Sequence, residues 1–323
     1  MHIGITYDLK EAYKQMGYTD EQAAEFDADD TIDAIEQSLQ VLGHTVDRIG
    51  GIADLTRALA TGSRWDMVFN IAEGYYGAAR ESQVPSLLDA YRIPYTFSDP
   101  AVLGLCLHKG LTKRIVRDLG LPTAAFCVVR DEIDLLGVDL KYPVFAKPDA
   151  EGTSKGIDDR SIAESPAALA EVCRRLWQKF SQPVLVEEFL PGREFTVGIL
   201  GTGRAARCLG AMEVLIVTDA ADEVYSFDNK MNYQQNVRYV ALEGGLRDVC
   251  CEHALRVWRG LGCRDAGRVD LRMDAAGIPN FLEVNPLAGL NPRHSDLPIL
   301  ARLQQISFDV LIREIMDSAL SRV

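Results

Sequence analysis

Two runs near the C-terminal end, Arg268-Val269-Asp270-Leu271 and Phe281-Leu282-Glu283-Val284-Asn285-Pro286, flank the turn Asp274-Ala275-Ala276-Gly277. Both read as strands, and the glycine-containing turn predicts that they pair as a hairpin. Strand side chains two apart share a face, so Arg268 lies beside Asp270 and Glu283 beside Asn285. Pairing then gathers Asp270, Glu283 and Asn285. Two hard carboxylates and an amide oxygen suit magnesium and leave positions open for phosphate oxygens. An arginine beside them can stabilise charge on a transferring phosphoryl group. The competing reading is an exposed hairpin with ordinary surface charges.

The first hundred residues alternate strand-like and helix-like segments. Strands are expected at 2–7, 45–49, 66–71 and 93–96, and helices at 31–42, 53–60 and 82–91. Ile32, Ile35, Leu39 and Leu42 have the spacing of a helix face, closed by Gly43. Such alternation predicts a small parallel sheet with helices on both faces. Beyond Pro100 come a helix at 111–119, strands at 122–129, 143–147, 183–188, 194–200, 211–217, 266–273 and 279–284, and helices at 166–180, 246–261 and about 307–319. Residues 218–237 read as a loop. The expected domains are 1–99, 100–185 and 186–323.

Acidic residues outnumber basic ones 47 to 34, for a net charge of −13, which disfavours a nucleic-acid partner. No apolar run approaches the roughly 20 residues of a membrane helix, and the start lacks a secretory pattern. Seven cysteines with no CxxC pair suit reduced, buried thiols in a cytosolic protein. The adjacent Cys250-Cys251 has no ligand partners at metal spacing.

Three further stretches carry chemistry. Phe145-Ala146-Lys147-Pro148 leads into Glu151-Gly152-Thr153-Ser154-Lys155-Gly156, a small-residue loop whose backbone N–H groups can approach phosphate, although it is no Walker A motif. The strand Val184-Leu185-Val186-Glu187-Glu188 enters a linker suited to an adenine edge, with Glu187 and Glu194 as acceptors for the amino group and ribose hydroxyls. Lys109, at a helix start, adds charge to free backbone donors. Taken singly these read as a flexible hairpin, linker acids and a solvated lysine.

In this order the stretches resemble the ATP-grasp superfamily, and within it the D-alanine–D-alanine ligase family. The resemblance runs from Pro94-Tyr95-Thr96-Phe97-Ser98 through His108-Lys109, Lys147-Pro148, Glu187…Glu194, Lys230, Arg268-x-Asp270 and Glu283-x-Asn285 to Gly289 and Ser295-Asp296-Leu297-Pro298. It implies an N-terminal Rossmann-like parallel sheet followed by a two-lobed ATP-grasp module, α/β overall and α+β in the lobes. It implies ATP and two magnesium ions, with manganese as the alternative, and a homodimer acting on small amino-acid-like substrates. By the same resemblance, Lys109 and Lys147 serve the nucleotide's phosphate and adenine sides. Glu187 is the adenine acid, with Glu188 and Leu190 presenting backbone, and Glu194 is the ribose acid. Thr153 and Ser154 lie in the loop over the phosphates, and Lys230 in a mobile loop, 219–236, that closes on ATP. Asp270, Glu283 and Asn285 hold the metals, Glu283 bridging both. Arg268 and Gly289 contact the tetrahedral intermediate, and Ser295 the substrate carboxylate.

The departures fall on one side. The family's first-strand glutamate is replaced by Tyr7-Asp8-Leu9-Lys10-Glu11 and an acidic insertion at 19–30, and its His-Gly-x-Gly-Gly-Glu-Asp-Gly stretch by residues 70–82. Met231 follows the loop lysine where an aromatic is usual, and His108 stands where an aspartate is common. The implied activity is an ADP-forming carboxylate–amine ligase with an altered first-substrate site, for which Glu73, Tyr75, Arg80 and Glu81 are the candidate contacts. The alternatives are a true D-alanine–D-alanine ligase of peptidoglycan synthesis and a non-catalytic nucleotide-binding regulator. Retention of Asp270, Glu283 and Asn285 argues against the last.

Overall fold

A computed structural model describes residues 1–216 and 237–323 of the chain. Lys230, Met231 and the expected closing loop lie outside the described residues. The N-terminal strands are β1 (His2–Thr6), β2 (Thr45–Gly50) and β3 (Met67–Asn70), parallel in the order β2-β1-β3. The expected strand at 93–96 is reduced to a single parallel bridge between Val68 and Tyr95. Alternation along β3 sends Met67 and Phe69 to one face and Val68 to the other, so both faces are covered. The helix Asp29–Val41 lays Ile32, Ile35 and Leu39 on one face, starting two residues before the expected bound. The segment before it is folded. Lys10–Gln15 is a short helix, and Tyr13, Tyr18 and Phe26 cluster with Tyr75.

The central sheet holds β4 (Phe126–Val129), β5 (Val144–Pro148), β6 (Ile162–Ala163) and β7 (Val184–Glu188) in the antiparallel order β4-β7-β5-β6. The helix Pro166–Phe180 covers it, opened by Pro166 in its first turn and by Ser165 Oγ accepting from Ala168 N at 3.3 Å. β7 stays in this sheet through Glu188, so the expected joint at 185 falls inside a strand. Residues 189–193 make the connection. The two helices Pro100–Leu107 and Lys109–Asp118, by contrast, pack through Val102, Cys106 and Val116 into the core of the next sheet.

That sheet contains β8 (Glu194–Leu200), β9 (Arg207–Ile216), β10 (Val237–Ala241), β11 (Ala266–Met273) and β12 (Pro279–Asn285), antiparallel in the order β10-β9-β8-β11-β12. The helix Gly244–Leu261 seats the fully buried Trp258 against it. Cys208 and Cys251 are joined as a disulfide across this strand–helix contact, with Cα atoms 5.7 Å apart. The expectation of reduced thiols is corrected for these two, because sheet packing joins residues distant in sequence. The other five cysteines are free. The last helices, Asp296–Leu303 and Phe308–Leu320, return to the N-terminal core through Leu297, Leu311 and Ile315. Among the described residues no helix is long and apolar enough to cross a membrane.

Gly267 shows how tightly β11 is seated. A Cβ there would lie 2.4 Å from the Asn285 carbonyl oxygen and 2.6 Å from the Trp258 ring. Backbone and a buried indole cannot both give way, so Gly267→Ala is expected to destabilise the fold by about 3 kcal/mol. Urea unfolding measures this, and wild-type stability in that variant would contradict the packing.

Candidate active site

An open cleft lies between the central and C-terminal sheets, walled by Lys147, Glu187, Leu190, Glu194, Asp270 and Glu283 among others. β5 and β7 pair Phe145 with Glu187, which brings Lys147 alongside. Lys147 Nζ lies 2.9 Å from Glu187 Oε1, and Lys113 Nζ lies 2.7 Å from Oε2. Burial alone would raise the Glu187 carboxyl, but the two lysines outweigh it and hold its pKa at about 2. Lys113 is fully buried and also donates to the Phe281 carbonyl at 3.0 Å, tying its helix to β12. Glu194 accepts from Arg272 Nη1 at 3.2 Å. Glu188, Leu190 and Ser154 complete this wall.

The hairpin forms as expected. Asp270 stands opposite Glu283, and Arg268 opposite Asn285, with a bulge after Asp270. Thr196 Oγ1 donates to Asp270 Oδ1 at 2.8 Å. Arg268 is ion-paired with Asp270, and its Nε lies 3.7 Å from Asp296. Lys109 Nζ donates to the Glu151 carbonyl at 2.5 Å and sits 3.3 Å from Glu283 Oε2. Burial raises the Asp270 carboxyl, Arg268 opposes this, and Glu283 and Asp296 add to the rise. This surplus of negative charge is what a divalent cation relieves, so the donor set fits magnesium. Among the described residues no three His, Cys, Asp or Glu side chains form a ready-made metal cluster.

A second cavity, about 380 Å³, adjoins the first, and Arg268 and Asp296 line both. Gly289, Ser295, Asn285 and Thr153 open onto it, as do Glu73 and Glu81. A Cβ at Gly289 would come within 2.9 Å of Ser295 Oγ, so only glycine permits this approach. Ser295 Oγ accepts from Asn291 N at 3.0 Å, and Asn291 Nδ2 donates to Asp30 at 3.0 Å and Thr31 at 2.9 Å. The start of the N-terminal helix thereby fixes the serine. Burial lifts Glu81 to about 7 against the opposing Arg80, and Asp27 to about 7. Burial and then the nearby Glu81 raise Glu73.

Two candidates stand apart from this cavity. Tyr75 is taken up in the aromatic cluster, with its ring 4.6 Å from that of Tyr18. Arg80 points to Glu25 at 3.0 Å and to the Ala150 carbonyl at 3.0 Å. Their places on the wall are filled by Lys10, from the stretch after the first strand, and by Glu25 and Asp27, from the segment treated as an insertion. Lys113, Thr196 and Asp296 lay within the recognised stretches without a role of their own, and Arg272 was not singled out. Thr196 carries a legible signal, since it lies two residues from Glu194 and shares its strand face. Lys113 carries only a weak one, its place in the helix after Lys109, because a lysine on a helix is ordinarily solvated.

The family model described as D-ala D-ala ligase C-terminus matches residues 115–317. A D-alanine–D-alanine ligase of Bordetella avium is 32% identical over 275 residues, covering 83% of this chain and 82% of its own. This chain belongs to the D-alanine–D-alanine ligase family. The Aquifex aeolicus ligase of that name is 31% identical over 280 residues, covering 86% of this chain and 91% of its own. An uncharacterized protein of Sinorhizobium fredii is 34% identical over 259 residues, covering 78% and 74%. The fold matches that of a Bacillus anthracis D-alanine–D-alanine ligase crystallised with ATP, at a TM-score of 0.73 and 21% identity over 100% of this chain and 98% of that one. Family membership makes this chain an ADP-forming ligase of the ATP-grasp type that makes a peptide bond.

Proposed function

We propose that this ligase phosphorylates the carboxylate of one amino-acid-like substrate with ATP and then joins it to the amine of a second, with a first-substrate site unlike that for D-alanine. The observation that carries this reading is the contact between the two cavities at Arg268 and Asp296. A nucleotide between the lobes would present its γ-phosphate to a carboxylate lying against Arg268. Glu187, Glu188 and Leu190 would take the adenine, Glu194 the ribose, and Lys147, Lys109, Thr153 and Ser154 the phosphates. Asp270, Glu283 and Asn285 would hold magnesium, or manganese in its place, which supplies charge neutralisation on the triphosphate. Lys230 would add a further cation, and Arg268 and the Gly289 N–H would steady the tetrahedral oxyanion. Ser295 would hold the substrate carboxylate.

An amine attacks a free carboxylate poorly because oxide would have to leave. Once the carboxylate oxygen has taken the γ-phosphoryl group and ADP has departed, the amine displaces phosphate instead, so the protein's work is positioning and charge balance rather than nucleophilic attack. Glu73 and Glu81 would face the first substrate's amine. Glu73, Glu81 and Asp27 crowd three carboxyl groups around this cavity, a clustering that a cationic group would relieve and that supports altered specificity. Relatives named D-alanine–D-alanine ligase support the second reading, in which the substrates are those of that name. The family resemblance adds a homodimer to this reading, and the ATP requirement suits a cytosolic reaction. A screen of ADP release against D- and L-amino acids, singly and in pairs, tests the proposal. Pair-dependent ADP release with partners other than D-alanine is expected. Turnover with D-alanine alone would favour the second reading, and amine-independent transfer to a stable acceptor would refute ligation.

A further inference from the structure

Thr153 and Ser154 both have left-handed backbone, with φ of 50° and 53°. Residues other than glycine adopt this region at a cost, so two in succession need a hold from outside the loop. Glu25 supplies one. Its Oε1 accepts from the Gly152 N–H at 2.6 Å and lies 3.2 Å from Lys155 Nζ, and its Oε2 lies 3.0 Å from Arg80. These side chains are buried, Glu25 being 9% exposed and Arg80 and Lys155 each 8%. A Cβ on Gly152 would stand 2.8 Å from Glu25 Oε1, so the close approach requires glycine. Arg80 reinforces the stem of the loop through the Ala150 carbonyl. Burial would raise the Glu25 carboxyl, but Arg80 and Lys155 hold it ionised.

We propose that Glu25 is a positioning residue that fixes the 151–156 loop from the N-terminal domain, so that Ser154 faces the nucleotide cleft while Thr153 faces the substrate cavity. The segment at 19–30 is thereby part of the ATP machinery rather than a solvated insertion. This inference rests on the assignment of that loop to the ATP phosphates. Glu25 also reaches the substrate cavity, so the two roles have to be told apart.

The test compares wild type with Glu25→Gln, which keeps the shape and removes the charge. The loop role predicts an ATP KM raised about tenfold, with the KM values for the amino acids changed by less than about twofold. Trypsin cleavage after Lys155, followed by mass spectrometry with and without magnesium and a non-hydrolysable ATP analogue, should be at least about tenfold faster in the variant without nucleotide. Should Glu25→Gln fail to fold, Gly152→Ala displaces the carboxylate from the loop and predicts the same two changes. A raised amino-acid KM with an unmoved ATP KM would overturn the proposal in favour of a direct substrate contact, as would cleavage at the wild-type rate. If wild type itself failed to bind the analogue, the ATP-loop assignment would fall, a result distinct from equal binding by wild type and variant.

Discussion

Glu283→Ala is expected to lower ADP formation by at least about a thousandfold while leaving the protein folded. Glu283 stands directly across the hairpin from Asp270 and is about a quarter exposed, at 25%. Its removal therefore opens little core. Lys109, its neighbour, keeps the Glu151 carbonyl as a partner. What disappears is half of the carboxylate pair that gathers divalent cations against the triphosphate. The loss should appear in kcat and in the stabilisation conferred by magnesium with ATP, with the urea midpoint of the ligand-free protein little changed. ADP release by coupled assay and thermal melts with and without Mg-ATP measure both. Near-normal turnover in Glu283→Ala would remove the metal assignment.

Glu187→Ala acts on the fold itself. The carboxylate is 3% exposed and lies between Lys113, fully buried, and Lys147, at 7%. Deleting it leaves two buried ammonium groups without their counter-charge, which costs about 3–5 kcal/mol. Urea unfolding is expected to show that loss together with weakened nucleotide binding, and a change under about 1 kcal/mol would contradict the network. The same carboxylate gives a pH dependence. Its pKa falls from 4.5 in the unfolded chain to about 2 in the folded one, so the unfolded state binds the proton more tightly. The stabilisation is complete above about pH 4.5, amounts to roughly 3 kcal/mol, and is lost as pH falls towards 2. Glu187→Gln should flatten this acid limb of the stability curve between those values.

The hairpin at 266–285 was readable because alternation, turn and charged positions all pointed the same way. So were β8 and the helix Pro166–Phe180, whose proline falls in its first turn. The segment at 93–96 was not, since four residues with strand composition make only one bridge when no further neighbour pairs with them. Glu25 and Asp27 were unreadable for another reason. An acidic stretch looks solvated until Arg80 and Lys155, 55 and 130 positions away in the chain, are seen around one carboxylate. Arg80 was expected to contact the first substrate, yet it pairs with Glu25 and the loop stem, because partner choice depends on tertiary packing. Cys208 and Cys251 illustrate the same limit, joined by a strand–helix contact that no spacing rule encodes.

Anomalous diffraction from crystals grown with manganese and a non-hydrolysable ATP analogue addresses the metal-bound nucleotide directly. Manganese peaks between the terminal phosphates and the side chains of Asp270, Glu283 and Asn285 are the predicted result. Nucleotide bound between the sheets with manganese remote from those three residues would contradict it.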